Sequence, residues 1–254
     1  MPEHAIYQAA LVVAAVYVAA SFVFLNLIDA PYGPLDTWSE RWWRIPQLPA
    51  WIIMESPAPL VFTTCMFVDD SPKSAAAWIL FGLWSVHYYH RSYVYPFLLR
   101  GDIRLPVIVV ASGAFWCALN GYLNGMWVGV FGDYDAAWLT DPRFVIGVAL
   151  FVVGFVLNKH SDHLLRQLRA DDAGTSEFKI PYGGAFRYVS APHYLGEIVT
   201  WIGFALASWS IPALLFVLMA LSNLVPRARS LHRWYLETFP DYPKERKALV
   251  PFVL

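Results

Sequence analysis

The 254-residue chain is poor in charge and in cysteine, and each scarcity removes a class of protein. Asp, Glu, Lys and Arg make up 15% of it, against about 25% in an average soluble domain. So thin a charge does not supply the solvated surface of a water-soluble fold. The two cysteines, Cys65 and Cys117, lie inside apolar stretches and read as small buried hydrophobes rather than a disulfide framework. There is no GxGxxG and no P-loop, and Gly183-Gly184 is too short to replace them, so any dinucleotide must bind without a Rossmann fold. No basic tail or arginine-rich face points to nucleic acid. Seven histidines are too few for multi-histidine di-iron clusters. The close pairs, His87 with His90 and His160 with His163, are weak metal signals, and no metal site is assigned. Low-complexity segments and internal repeats are also missing.

What the chain has is apolar length: 58% hydrophobic residues and a mean hydropathy of +0.46. Stretches at 5–28, 48–68, 75–99, 105–131, 143–159, 194–209 and 211–226 approach the roughly 20 residues that cross a bilayer. The expected fold is a single all-α integral membrane domain over 1–254 with seven transmembrane helices. The last two stretches are short and form one run split at Ser210-Ile211-Pro212, so six crossings is the alternative. The first stretch exceeds a signal-peptide core of about 7–15 residues and follows no basic residue, so it reads as a retained helix. Turn residues such as Pro31-Tyr32-Gly33-Pro34 and Asp69-Asp70-Ser71-Pro72 separate the spans. Gly121-x-x-x-Gly125 reads as close helix packing. With the N-terminus outside, fifteen of the eighteen Lys and Arg fall on the inner side, which predicts a cytoplasmic C-terminus.

Ionisable groups within spans are costly, roughly 2.5–3.5 kcal/mol at the bilayer centre, and need a reason. The second span carries Glu55, in Met54-Glu55-Ser56-Pro57, where Pro57 predicts a kink. The third carries His87-Tyr88-Tyr89-His90-Arg91. A carboxyl kept protonated by burial, beside a tyrosine, would present two donors to a carbonyl oxygen. The equally weighted alternative is that Glu55 pairs with Arg91 or His90 to hold two helices together. Glu197 lies four residues after His193, on the same helix face, or forms a plain interfacial pair with it.

The fifth span runs on into a polar segment. Asn158, Asp162, Arg166 and Arg169 fall along one helical stripe. An acceptor for ribose hydroxyls and guanidiniums for phosphates are what a nucleotide needs. Contact with anionic lipid is the commoner explanation of such basic residues.

The C-terminal half is more specific. It contains Gly183-Gly184-Ala185-Phe186-Arg187-Tyr188-Val189-Ser190, Tyr194-Leu195-Gly196-Glu197, Trp201-Ile202-Gly203, His232-Arg233-Trp234-Tyr235, and Asp241-Tyr242-Pro243-Lys244 followed by Arg246 to Phe252. With Ala50-Trp51, Glu55, His87 to Arg91 and Asn158 to Arg169, it resembles the steroid 5α-reductase (3-oxo-5α-steroid 4-dehydrogenase) family, its type 2 branch in particular. The likeness starts near residue 44 and suggests a bacterial homologue. It implies seven helices enclosing an NADPH and steroid pocket, and NADPH-dependent reduction of the Δ4 double bond of 3-oxo-Δ4 steroids, with hydride to C5. By position it implies that Glu55 and Tyr88 polarise the 3-keto oxygen and that Trp51 and Phe115 also line the substrate. Asn158, Asp162, Arg166, Arg169, His193, Glu197, Arg227, Tyr235 and Arg246 should hold NADPH. Met54, Leu99, His193, Leu231 and Phe178 replace polar or aromatic residues of the family pattern. Alternatives are a reductase of another lipid enone or polyprenol, a membrane methyltransferase using S-adenosylmethionine, and a non-enzymatic lipid carrier. The expected protein is a monomer in a bacterial inner membrane, or in the endoplasmic reticulum if eukaryotic, taking steroid or lipid substrate from the bilayer and touching membrane lipid but no nucleic acid.

Overall fold

The computed structural model describes residues 2–27, 43–99, 103–170 and 178–254. Nearly all of its regular structure is helical. Helix α1 spans Pro2–Leu27. Helices α2 (Gln47–Glu55) and α3 (Pro57–Met66) form one bent rod. Ser56 keeps helical dihedrals between them, and its hydroxyl donates back to the Ile52 carbonyl. The chain therefore kinks at Pro57, as the missing N–H predicts, and does not stop. The kink places Glu55 at a buried helix end.

Helix α4 (Ala75–Tyr89) is capped by Ser74, whose hydroxyl accepts from the Ala77 N–H. It passes into a π turn, His90–Val94, and then α5 (Tyr95–Leu98) with Pro96 near its start. A widened turn of this kind re-aims side chains and is common at functional sites. Here it carries Arg91. Helix α6 (Val107–Met126) ends in a second π turn, Trp127–Phe131. Helix α7 (Pro142–Ala170) is a single rod continuing well past residue 159, as the polar stripe requires. Helices α8 (Pro192–Ser208) and α9 (Ile211–Thr238) are separated by Trp209 in the left-handed region and by the Ser210 cap.

One expectation is corrected. The last apolar stretch does not end at 226: α9 runs to Thr238 with Pro226 inside it. One absent backbone bond does not end a helix that packs against α1 and α8. A short antiparallel ladder, β1 (Arg44–Pro46) on β2 (Arg104–Pro106), accompanies the helices and leaves the all-α class standing.

Among the described residues, four helical segments are individually long and apolar enough to cross a membrane: His4–Leu27, Val107–Phe131, Pro142–Leu168 and Ile211–Thr238. Their outward residues are large hydrophobes, among them Val12, Val16 and Phe22 on α1 and Val145, Val152 and Val156 on α7. Apolar outer faces on long helices are those of an integral membrane protein.

Small residues set the tightest packing. Gly121, Gly125 and Gly129 lie against the backbone of Ala58, Phe62 and Cys65–Met66, so α6 runs parallel to α3 at close approach. Helices α7 and α8 touch backbone to backbone and antiparallel. Gly147 faces Gly203 and Ala207, and Gly154 faces Gly196 and Thr200. A Cβ on Gly154 would sit 2.4 Å from the Thr200 N, and one on Gly203 2.3 Å from the Phe151 N. Gly154→Ala and Gly203→Ala are each expected to cost about 1–3 kcal/mol as overpacking, read as a lower melting temperature in detergent. Gly82→Ala, inside α4 with nothing within 4 Å of the added carbon, should leave it unchanged or raise it slightly, since alanine favours the helix by about 0.5–1 kcal/mol.

Candidate active site

Above an aromatic floor, α2, α4, α6 and α8 bring their polar residues together. Trp84, Trp201 and Phe216 make up the floor, with ring centroids 5.4 Å apart for Trp84–Trp201 and 4.1 Å for Trp201–Phe216. Tyr88 lies on it, 4.7 Å from Trp84, and is 3% exposed.

Glu55 accepts on both oxygens. Arg91 Nε donates to Oε1 at 2.9 Å, and Cys117 Sγ lies 3.6 Å from Oε2. The pairing of Glu55 with Arg91, weighed from sequence as a helix clamp, is therefore present. Neither carboxyl oxygen is placed as a donor in this arrangement. Arg91 also packs over Trp51, 5.1 Å from the ring centre, and its Nη1 reaches Glu197 Oε2 at 4.0 Å. Glu197 in turn takes Trp201 Nε1 at 2.9 Å and lies 3.2 Å from His87 Nε2. One guanidinium thus joins the buried Glu55 of α2 to the partly buried Glu197 of α8.

Tyr88 is held differently. Asn120 Nδ2 donates to its hydroxyl oxygen at 3.1 Å. The phenol O–H remains available to a ligand. Sequence reasoning passed over Asn120 and Asn124 and read Cys117 only as a small buried hydrophobe. Two buried amides four residues apart in an apolar span were the signal that could have found them. Phe115 faces away, half exposed and beside Tyr17 at 5.7 Å, while its neighbour Trp116 points inward toward Phe216.

The expected cofactor residues fall into linked sets. Asn158 Nδ2 donates to the His193 carbonyl at 2.9 Å, tying α7 to the start of α8. Asp162 lies within electrostatic reach of Lys159, Glu197, Arg91 and Arg166. The side chain of Arg169 lies outside the described residues. Arg227 Nε donates to Tyr194 Oη at 2.6 Å, joining α9 to α8. Tyr235 and Arg246 belong to the C-terminal segment, which folds back through Ser190 N to the Lys247 carbonyl at 2.8 Å. There Tyr235 stacks on Tyr242 at 5.0 Å, and Arg246 is clasped between Tyr182 and Tyr242 while donating to the Pro181 carbonyl at 2.9 Å. Of the departures from the family pattern, Met54 lies against Gly113, Phe178 against Trp234, and Leu231 beside the Tyr235–Tyr242 cluster.

Among the buried polar atoms of the described residues that lack a protein hydrogen-bond partner are Asn158 Oδ1, Arg166 Nη1 and Arg246 Nε. Buried polar atoms are normally satisfied. Unused guanidinium N–H groups suit phosphate oxygens, and an unused amide oxygen suits a carboxamide donor. This donor set fits a phosphorylated dinucleotide. No group of three or more potential metal ligands occurs among the described residues.

Residues 103–254 match the family model described as 3-oxo-5-alpha-steroid 4-dehydrogenase. The chain is 42% identical over 241 residues to 3-oxo-5-alpha-steroid 4-dehydrogenase 1 of Mus musculus, covering 92% of this chain and 91% of that protein. To 3-oxo-5-alpha-steroid 4-dehydrogenase 2 it is 45% identical in Sus scrofa and 44% in Homo sapiens, each over 213 residues, 83% of this chain and 82% of the relative. Both enzyme types are therefore matched at similar identity. With a match this long and a helical membrane architecture to carry it, the chain belongs to the 3-oxo-5-alpha-steroid 4-dehydrogenase family.

Proposed function

We propose that this chain reduces the Δ4 double bond of 3-oxo-Δ4 steroids to 5α-dihydro-3-oxo steroids, with NADPH as the reductant. The observation that carries the reading is a buried tyrosine, Tyr88, whose oxygen accepts from Asn120 and whose proton is left for a ligand, in a chain of this family. NADPH bound by Asn158, Asp162, Arg166, Arg169, His193, Glu197, Arg227, Tyr235 and Arg246 would supply hydride for C5.

The chain's own residues do the rest. Tyr88 donates to the 3-keto oxygen and stabilises the enolate charge that reduction places there, and C4 then takes a proton as the enolate collapses to the saturated ketone. Glu55 serves beside it as a second donor once it holds a proton and the Arg91 contact has passed to Glu197, 4.0 Å from Arg91 Nη1. Trp51 holds Arg91 from one side. The Trp84, Trp201 and Phe216 floor keeps water from the reacting carbons. Substrate enters from the bilayer between apolar helices, and the protein acts as a monomer. Seven crossings with a cytoplasmic C-terminus, in a bacterial inner membrane, complete the proposal. The inner-side excess of Lys and Arg supports that orientation.

The test is turnover of progesterone or testosterone by purified protein in detergent with NADPH, with products identified by mass spectrometry. A 5α-dihydro product is expected. Folded protein that binds NADPH and yields no product would move the substrate to another lipid enone. Competition by S-adenosylmethionine instead of NADPH would overturn the reductase reading.

A further inference from the structure

The hydroxyl of Tyr88 has one proton and can point it either into the bundle or toward a ligand. A side-chain amide beside it can enforce either choice. An amide oxygen facing the phenol would draw its proton inward, whereas an amide NH2 makes the phenol oxygen an acceptor and leaves the proton outward. The orientation of Asn120 therefore decides whether Tyr88 is a donor at all.

That orientation is set one turn further along α6. Asn124 Nδ2 donates to the Asn120 main-chain carbonyl at 3.1 Å and to Asn120 Oδ1 at 2.8 Å. A backbone carbonyl can only accept, so Asn124 must present its NH2 there. The same NH2 engages Oδ1 of Asn120, which leaves the Asn120 NH2 to face Tyr88 at 3.1 Å. Asn120 and Asn124 are each 1% exposed and Tyr88 3%, so water does not compete for these bonds. A group with no choice fixes the direction of every bond in the row.

We propose that Asn124 and Asn120 are positioning residues that set the polarity of this row, aiming the Tyr88 proton at the substrate oxygen. The proposal rests on the steroid-reductase reading of the same site. Donation into the phenol oxygen also strengthens the bond the phenol makes outward, because successive hydrogen bonds polarise one another.

The experiment compares Asn120→Leu, Asn124→Leu and Asn124→Gln in the full chain, with kcat and KM for progesterone in H2O and D2O, and NADPH binding by fluorescence. Asn120→Leu and Asn124→Leu are expected to lower kcat about tenfold, the effect of about one hydrogen bond. Their KM and NADPH affinity should stay within about twofold of wild type, with a larger D2O effect on kcat as proton delivery slows. Asn124→Gln keeps the NH2 and should recover most of kcat. Wild-type kcat in both leucine variants would overturn the inference. So would equal losses of kcat, KM and NADPH binding that glutamine does not rescue, since those are the marks of mere packing. A wild-type chain that turns over no 3-oxo-Δ4 steroid would instead remove the functional reading beneath it.

Discussion

Tyr88→Phe is expected to slow steroid turnover by about two to three orders of magnitude, the effect of losing one donor to a developing oxyanion. The change removes a single oxygen from a ring held on every side by Trp84, Trp201, His87 and Phe216. Its packing should survive, so NADPH binding should stay close to wild type. The loss should fall on kcat more than on KM, because the bond strengthens as charge reaches the 3-oxygen. The phenol also accepts from Asn120, and the phenylalanine variant leaves that NH2 without its acceptor, a cost to stability of about 1–3 kcal/mol at most. Stopped-flow oxidation of NADPH under single-turnover conditions separates the chemical step from product release. A Tyr88→Phe protein with near-normal single-turnover rates would remove Tyr88 from the chemistry.

Arg91→Leu should have the largest effect on stability. The guanidinium lies 2.9 Å from Glu55 and 4.0 Å from Glu197, carboxylates whose side chains are only 7% and 13% exposed. Removing one partner of a buried ion pair leaves the other charge uncompensated and costs about 3–5 kcal/mol. Here two carboxylates lose one cation, and the Trp51 ring loses its contact as well. The expected outcome is a steep fall in melting temperature, or no folded protein. The double variant Glu55→Gln with Arg91→Leu removes one orphaned charge with its partner, and should recover part of the loss. A loss in the double variant equal to the sum of the losses in Arg91→Leu and Glu55→Gln alone would mean that the pair carries no coupling energy.

Much of this was legible beforehand because the causes are local. Apolar length marks spans whatever they face, Pro57 bends its helix through its own missing N–H, and Ser210 with Pro212 starts α9 through its own cap. Glu55 and the His87–Arg91 run stood out because charge within an apolar span is rare on energetic grounds. The family motifs named Tyr88, Asn158 and Arg246 by position.

Facing relations were not legible. Glycines seven apart in α7 and again in α8 were visible as letters, but their function appears only when Gly154 lies on Gly196 and Gly147 on Gly203. Cys117 looked like filler until the kink brought Glu55 to it, and Asn120 was one more residue in a span until α4 laid Tyr88 against it. By itself the sequence determined the helical membrane character, the bend at Pro57, the polar residues that need a reason and the family. Only the tertiary structure decided that Arg91 shares itself between Glu55 and Glu197, and that the Tyr88 oxygen accepts rather than donates inward. The reason is physical: helix periodicity sets which residues share a face, whereas the partner met by that face depends on long-range packing between segments far apart in the chain.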